Sequence, residues 1–266
     1  MSITIITPTL NAASHVAHCL ESVANQSYRD VEHIVIDGGS IDGTLDILQS
    51  CPTVSSFVEP GSGIYGAMNL GLKRARGDWI LFLGADDLLF QRSTLEMMTQ
   101  YLTEEWEVVY GNVIFRGSGE RYSGPFDYQK IYSSNICHQS IFFKRSVFEL
   151  VGDFNQEFPY LSDWEHNLRW FFNPLVRSKF VNETVALFDE AGVSGSHRDE
   201  IFYRQRRLIY LINALPFIPW KFALQVALTG LLVRSLRLDF STAVQFLPLL
   251  PKIFLKRASA TNSRSA

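Results

Sequence analysis

Apolar positions in this 266-residue chain follow two rhythms. Short segments rich in β-branched and aromatic residues lie at 3–6, 31–36, 54–58, 79–83 and 108–115 and predict strands. Only 79–83 is continuously apolar, which predicts a strand buried on both faces. Between them the apolar residues shift to helical spacing. Val16, Cys19, Leu20 and Val23 predict a helix over 12–26. Further helices are expected over 42–48, 64–75 and 93–102. Strand and helix alternate four times, the signature of a parallel α/β sheet. The stretch 7–11, Thr-Pro-Thr-Leu-Asn, reads as a loop because Pro interrupts a ladder and Asn favours turns.

Beyond residue 115 the rhythm loosens. Residues 117–135 are polar and Tyr-rich and read as irregular. A strand is expected over 139–143, a short helix over 145–151 ending at Gly152, and a helix over 158–172. In the last of these, Leu161, Trp164, Leu168 and Phe171 recur at helical spacing. A strand over 181–188 leads into Gly192-Val193-Ser194-Gly195. The apolar stretch 208–233 is broken by Pro216, Pro219 and Lys221, and 246–255 by Pro248, Pro251 and Lys252. The longest uninterrupted piece, 222–233, has 12 residues. That falls short of the ~20 needed to span a bilayer.

Charge sharpens this division. The net charge is −3, yet from Arg204 onward there are ten Lys/Arg and one acid, Asp239. The two parts therefore carry about +9 and −12, the latter from 14 basic and 26 acidic residues. A basic segment with interrupted apolar pieces suits helices lying on an anionic membrane surface, with a packed helical subdomain as the alternative. Three widely spaced cysteines, Cys19, Cys51 and Cys137, form neither a metal motif nor a disulfide framework and point to a reducing compartment. The N-terminus lacks the basic and apolar regions of a signal peptide. The expected organisation is a catalytic domain over 1–200, a helical membrane-associating segment over 201–257 and a disordered tail over 258–266.

The candidate chemistry sits at strand ends. The run 79–83 leads to Asp86 and Asp87, where an open α/β sheet binds ligands. Adjacent carboxylates repel unless a cation lies beside them, and Mg²⁺ or Mn²⁺ takes carboxylate oxygens and a substrate's phosphates. A solvated acid pair in a turn is the plain alternative. Asp37 ends the second strand in the same way, followed by two glycines, and is either a ligand group or the anchor of its own turn. Asp42 is placed to cap the helix that follows. Ser162-Asp163-Trp164-Glu165 opens a helix, where Ser162 and Glu165 fit a capping box. That reading leaves Asp163 without a structural task. Gly61-Ser62-Gly63-Ile64-Tyr65-Gly66 matches G-x-G-x-x-G, with Asp86 twenty residues beyond, so a dinucleotide-binding enzyme is a competing reading.

Thr7-Pro8-Thr9-Leu10-Asn11, Ile36-Asp37-Gly38-Gly39-Ser40-Ile41-Asp42-Gly43-Thr44, Gly63-Ile64-Tyr65-Gly66-Ala67-Met68-Asn69 and Asp86-Asp87 occur in this order. Together they closely resemble the inverting family-2 glycosyltransferases, in particular those of bacterial exopolysaccharide and O-antigen assembly. The resemblance covers roughly residues 2–195. It implies the GT-A fold, a Rossmann-like, mostly parallel sheet flanked by helices, here with a C-terminal helical appendage. It also implies transfer of a sugar from a nucleoside-diphosphate sugar, a UDP-sugar first, to a hydroxyl of a glycan or lipid-linked glycan. By resemblance Thr7, Pro8, Thr9, Asp37, Met68, Asn69 and Asp86 bind the donor. The family's DXD motif falls on Asp86 and Asp87, which would hold Mn²⁺ or Mg²⁺; Gly84 stands where many relatives carry a further Asp. The general base falls on Asp163, with Ser162 departing from the family's first position. His138, Gln139, Glu165 and His197 are expected on the acceptor or phosphate side. Where relatives often carry a His before Gly-Val-Ser, this chain has Asp189-Glu190. The expected place of action is the cytoplasmic face of the cell membrane, held by the C-terminal segment, with no nucleic-acid partner. A non-catalytic nucleotide-sugar binding module is the remaining alternative.

Overall fold

The computed structural model describes residues 1–122, 124–189, 197–236 and 244–262, the side chains of 234–236 and 257–262 excepted. Glu190, Gly192–Gly195 and Arg237 lie outside the described residues, as do the side chains of Arg234 and Arg257. The chain separates into two compact units. Met1–Phe126 with Asn135–Asp199 form one, and Asp127–Ser134 with the residues from Glu200 onward form the other.

The first unit is built on a nine-stranded sheet of order β3-β2-β1-β4-β8-β6-β9-β5, with β7 added on β6. One half is parallel: β1 (Ile3–Thr9) lies between β2 (Val31–Asp37) and β4 (Trp79–Phe82), and β3 (Ser55–Val58) flanks β2. The connections are helices, as parallel neighbours require: α1 (Val16–Ala24), α2 (Thr44–Gln49) and α3 (Gly63–Arg74). Both faces of the sheet are covered, which explains the unbroken apolar run of β4. Ile3 and Ile5 pack with Cys19 and Val23 of α1 and with Leu81 of β4. On the other face α3 comes so close at Gly71 that a Cβ there would lie 2.4 Å from Ile6 Cγ2.

The first strand is longer than the sequence predicts. Thr7, Pro8 and Thr9 pair with Val35, Ile36 and Asp37 instead of forming a loop. The Thr9 carbonyl accepts from Gly38 N–H on the β2 side. Alternation turns Pro8 to the opposite side, where β4 pairing stops at Ile6. Lacking an N–H to continue the ladder on that side, Pro8 lets β1 extend along β2 alone.

The other half is mixed, with antiparallel strands joining the parallel ones. β4 is followed by β5 (Leu88–Leu89), α4 (Thr94–Thr99) and β6 (Val108–Phe115). β8 (Ile141–Lys144) then slots antiparallel between β4 and β6. β9 (Ser178–Phe188) runs parallel to β6, while β5 and β7 (Arg121–Tyr122) pair antiparallel at β9 and β6. The chain reaches β8 through an irregular stretch with no crossover helix, so it enters the gap reversed. Gln139 belongs to a single 3₁₀ turn, His138–Ser140, placed just before that strand. Two more helices complete the unit's frame, α6 (Ser146–Val151) and α7 (Ser162–Phe171); α5 (Lys130–Ser133) belongs to the second unit.

The second unit contains three longer helices, Glu200–Ala214, Trp220–Leu236 and Leu249–Asn262. The last continues past Arg257, where an unstructured tail is expected from sequence. An aromatic group pins α5 to these helices: Tyr132 meets Tyr210 at 4.9 Å and Phe222 at 5.8 Å between ring centroids. Tyr210 also donates to the Tyr128 carbonyl at 2.6 Å. Residues 127–134 thus belong to the second unit although they fall in the middle of the first unit's sequence.

Candidate active site

The site begins where β4 stops. The loop 84–87 folds back so tightly that a Cβ on Gly84 would lie 2.6 Å from Asp87 Oδ2 and 2.7 Å from Asp86 Oδ1. A side chain at 84 would displace both carboxylates, which accounts for the departure from the family pattern. Asp87 is almost wholly buried. Its Oδ2 accepts from Gln139 Nε2 at 2.8 Å and Gly84 N–H at 3.2 Å, and its Oδ1 from Asp189 N–H at 3.0 Å. One carboxylate therefore ties together the β4 loop, the turn before β8 and the end of β9. Burial, then the neighbouring Asp86, pushes the Asp87 carboxyl up to about 6.

Asp86 differs. No other described residue donates a hydrogen bond to its carboxylate. Burial and then Asp189 hold its carboxyl above the usual range. Arg116 donates to the Asp86 carbonyl at 3.1 Å and pairs with Asp189 at 3.4 Å. The two acids of the motif have different tasks: Asp87 braces the loop, and Asp86 presents unpaired negative charge. The donor set fits Mg²⁺ or Mn²⁺, which commonly takes one or two carboxylates and completes its shell with phosphates and water. Among the described residues no three His, Cys, Asp or Glu side chains converge as a self-sufficient metal cage.

The residue before Gln139 reaches a second carboxylate. His138 Nδ1 lies 3.3 Å from Asp163 Oδ2 at the start of α7. Burial alone lowers the His138 pKa, but the hydrogen bond to Asp163, followed by the charges of Asp163, Asp87 and Asp86, outweighs it and the net shift is upward. Asp163 Oδ2 also accepts from Asn135 Nδ2 at 2.7 Å, and Oδ1 accepts from the Tyr65 hydroxyl at 2.8 Å. Consecutive side chains of one 3₁₀ turn thus touch both carboxylate centres.

The capping box expected at Ser162–Glu165 is absent. Leu161 occupies the cap position, and Ser162 Oγ is buried without a partner. Glu165 is drawn instead to Arg169 at 2.9 Å. Arg169 also holds the carbonyls of Val151 and Asp153, so this pair clamps α7 to the end of α6. The loop before α7 is held by Asp199, whose Oδ2 accepts the N–H groups of Tyr160 and Leu161 at 3.0 and 3.1 Å.

The expected donor residues divide in two. Thr7 is buried and bonded to His33 Nε2 at 3.0 Å. Met68 is 0% exposed in the core, so it offers no surface to a ligand. Asn69 clasps the Phe154 backbone through both Nδ2 and Oδ1. Asp37 is also 0% exposed. Its Oδ1 accepts from Gly39 and Ser40 N–H and its Oδ2 from Ser40 Oγ at 2.6 Å. This is the turn-anchor alternative, helped by Gly39 at φ +95°, a conformation costly for other residues. Thr9, by contrast, has a buried Oγ with no partner, at the mouth where β1 ends. The His197 ring stacks on Tyr160 at 4.9 Å.

Tyr65, Asn135, Asp189, Arg116 and Asp199 belong to this constellation without having been assigned a role from sequence. Tyr65 lies inside a motif, whereas Asn135 and Asp199 lie in polar stretches with no local signal.

Comparison with known proteins agrees with this geometry. Residues 4–149 match the model of glycosyl transferase family 2. A PGL/p-HBAD biosynthesis glycosyltransferase of Mycobacterium bovis (strain BCG / Pasteur 1173P2) is 38% identical over 210 residues, 76% of this chain and 82% of that protein. The crystal structure of S. aureus TarS superposes with a TM-score of 0.67 at 20% identity, covering 87% of this chain and 43% of TarS. A TarS 1–349 structure in complex with UDP-GlcNAc gives 0.65 at 19% identity over 79% of this chain and 67% of that one. The mannosyltransferase PcManGT from Pyrobaculum calidifontis, in complex with GDP-Man and Mn²⁺, gives 0.57 at 18% identity over 96% and 84%. The chain belongs to glycosyl transferase family 2 and is a glycosyltransferase of GT-A-like fold. The competing dinucleotide reading is thereby set aside, and the fold agrees. The glycine that lets α3 approach the sheet is Gly71, outside the G-x-G-x-x-G pattern.

Proposed function

We propose that this glycosyltransferase works by inversion. It takes the sugar of a nucleoside-diphosphate donor, a UDP-sugar first, and passes it to a hydroxyl of a glycan or lipid-linked glycan in cell-surface polysaccharide assembly. The observation that carries this reading is Asp163. It is a buried carboxylate held by three side chains from two separate parts of the chain, and His138-Gln139 joins it to the Asp86–Asp87 loop. Asp163 takes the proton of the acceptor hydroxyl. The freed electron pair on that oxygen forms the new bond to the anomeric carbon as the bond to the diphosphate oxygen breaks. Asp86, held in place by Asp87, would bind Mn²⁺ or Mg²⁺, which neutralises the diphosphate of the leaving group. Thr9 and the backbone of the turn shaped by Asp37 would receive the nucleoside. The names of the matched structures support the donor class: TarS 1–349 was solved with UDP-GlcNAc, and PcManGT with GDP-Man and Mn²⁺.

The test is a donor screen by thermal shift and by donor hydrolysis, with Mn²⁺, Mg²⁺ or EDTA. Binding of one nucleotide sugar that needs the cation, and is lost in Asp86→Asn, is the expected result. Undiminished transfer in EDTA would overturn the metal assignment.

The second unit supports a peripheral place on the cytoplasmic face of the cell membrane. No helix among the described residues is long and apolar enough to cross a membrane. Ile212, Phe217, Leu228, Leu232 and Leu255 are nonetheless exposed in this unit, and so are the cations Arg204, Lys221 and Lys252. Each basic residue near anionic lipid contributes about 1 kcal/mol. The full chain is expected to float with anionic vesicles at low salt, and the variant with Lys221→Glu and Lys252→Glu to float less. Failure of the parent to bind anionic vesicles would refute this placement.

A further inference from the structure

The two oxygens of Asp163 are held in different ways. An ionised carboxylate has about four lone-pair sites. Oδ2 meets two donors, Asn135 Nδ2 and His138 Nδ1. The Asn135 amide cannot reverse. Its own Oδ1 accepts from Asn167 Nδ2 at 2.8 Å, and Asn167 Oδ1 accepts from Trp170 Nε1, a group that only donates, at 2.8 Å. The chain Trp170, Asn167, Asn135 thus runs one way and ends on Oδ2.

Among the described residues Oδ1 meets a single side-chain donor, the Tyr65 hydroxyl, so its lone-pair count leaves a second site for an acceptor hydroxyl. The Tyr65 oxygen also takes the Asp163 backbone N–H. Its hydroxyl lies 2.9 Å from the Tyr160 carbonyl, a second acceptor for its only proton. Burial first, then the charge of Asp163, raises the Tyr65 phenol well above its ordinary range, so it stays protonated.

We propose that Tyr65 is a positioning residue with two settings: its hydroxyl donates to Asp163 Oδ1 while that carboxylate is ionised, and turns to the Tyr160 carbonyl once Oδ1 carries a proton. This rests on the reading of Asp163 as the base. In the transfer step the acceptor O–H bond breaks and an Asp163 Oδ1–H bond forms. The new Oδ1–H then donates to the free lone pair of the Tyr65 oxygen, whose own proton finds the Tyr160 carbonyl. An amide or ammonium donor in the place of Tyr65 would face the new proton with a second one. A phenol can both donate and accept, so both protonation states of Asp163 are satisfied without moving a heavy atom.

The test uses the full chain and hydrolysis of UDP-GlcNAc or GDP-mannose, whichever the parent turns over, with pH profiles of kcat. The other titratable and charged groups around the pair are His138 and Cys137 before β8, Asp199 before the second unit, and the Glu165–Arg169 pair on α7. Profiles are therefore taken in parallel in a His138→Gln background. Hydrogen bonding to the ionised form favours that form, so removing it raises the proton affinity of Asp163. Tyr65→Phe is expected to lower kcat about 10-fold with KM for the donor unchanged. The acid limb should move up by about one pH unit. Site-specific 3-fluorotyrosine at 65 keeps the shape, donates more strongly, and should move the limb down. An unmoved limb in both overturns the proposal; if Tyr65→Phe does not fold, an unmoved limb in the fluorinated protein does so alone. Asp163→Asn separates the two ideas: parent-like turnover there overturns the base assignment itself.

Discussion

Asp37 and Asp163 are both buried carboxylates at the ends of regular elements, and both are rich in hydrogen bonds, yet they are held in opposite ways. The donors of Asp37 are Gly39 and Ser40, two and three residues away. Those of Asp163 are Tyr65, Asn135 and His138, 98, 28 and 25 residues away. A carboxylate served by its own turn needs nothing from the rest of the fold and gives the chain a shape. A carboxylate served from afar forms only when the fold is complete, and here its lone-pair count leaves a second site on Oδ1. The contrast separates an acid tied into its own turn from the acid proposed above as the base.

The sharpest way to break the comparison is Asp163→Asn. Donor binding and the thermal midpoint should stay near parent values, while transfer falls by about 10²- to 10⁴-fold, the scale of a lost general base. If activity stays within a few-fold, Asp163 is no more reactive than Asp37. Next in size, Asp37→Ala leaves the N–H groups of Gly39 and Ser40 without their acceptor. Unfolding free energy should drop by about 3 kcal/mol in a denaturant titration, and the activity of the folded fraction should change little. Selective loss of donor binding at unchanged stability would instead return Asp37 to the ligand set.

A third buried group sharpens the stabilising side. Burial pushes His33 down to about 4. The unfolded chain takes up a proton below about 6.5 and the folded state does not. Stability is therefore fully present above pH 6.5 and lost as pH falls towards 4, by about 2 kcal/mol between pH 7 and 5. His166, also lowered by burial, adds the same sign. His33→Gln should flatten this slope in unfolding titrations at the two pH values, leaving the part due to His166; an unchanged slope would contradict the assignment. The smallest effect belongs to Glu165→Gln, which weakens a single pair with Arg169. Transfer should fall no more than a few-fold, and stability by less than about 1 kcal/mol. A loss comparable to that of Asp163→Asn would move the base one turn along the helix.

Much of this architecture could be read from the chain. Strand β4 announced itself because burial on both faces demands continuous apolar residues, and β1, β2 and β6 through their β-branched and aromatic residues. Asp86, Asp87 and Asp163 stood out as candidates because strand ends and helix starts are where the backbone presents side chains to a ligand. The extension of β1 through Pro8 was not legible, since it depends on where a neighbouring strand stops. The capping box at Ser162 was a plausible local pattern that lost to a distant one, with Asp199 holding the loop and Arg169 taking Glu165.

Sequence by itself determined the family, the strand–helix order of the first half, and the residue types available for chemistry, because these follow from local periodicity and short motifs. Only the tertiary structure decided which of those residues come together. The reversed insertion of β8 places His138 and Gln139 between two carboxylate centres, and Gly84 leaves room for Asp87 to turn inward and brace the loop. Met68 and Asn69 are drawn into packing, while Tyr65 and Asn135 are brought to Asp163. Those outcomes depend on contacts between segments tens of residues apart. Such contacts are set by strand order and close packing, which no local pattern encodes.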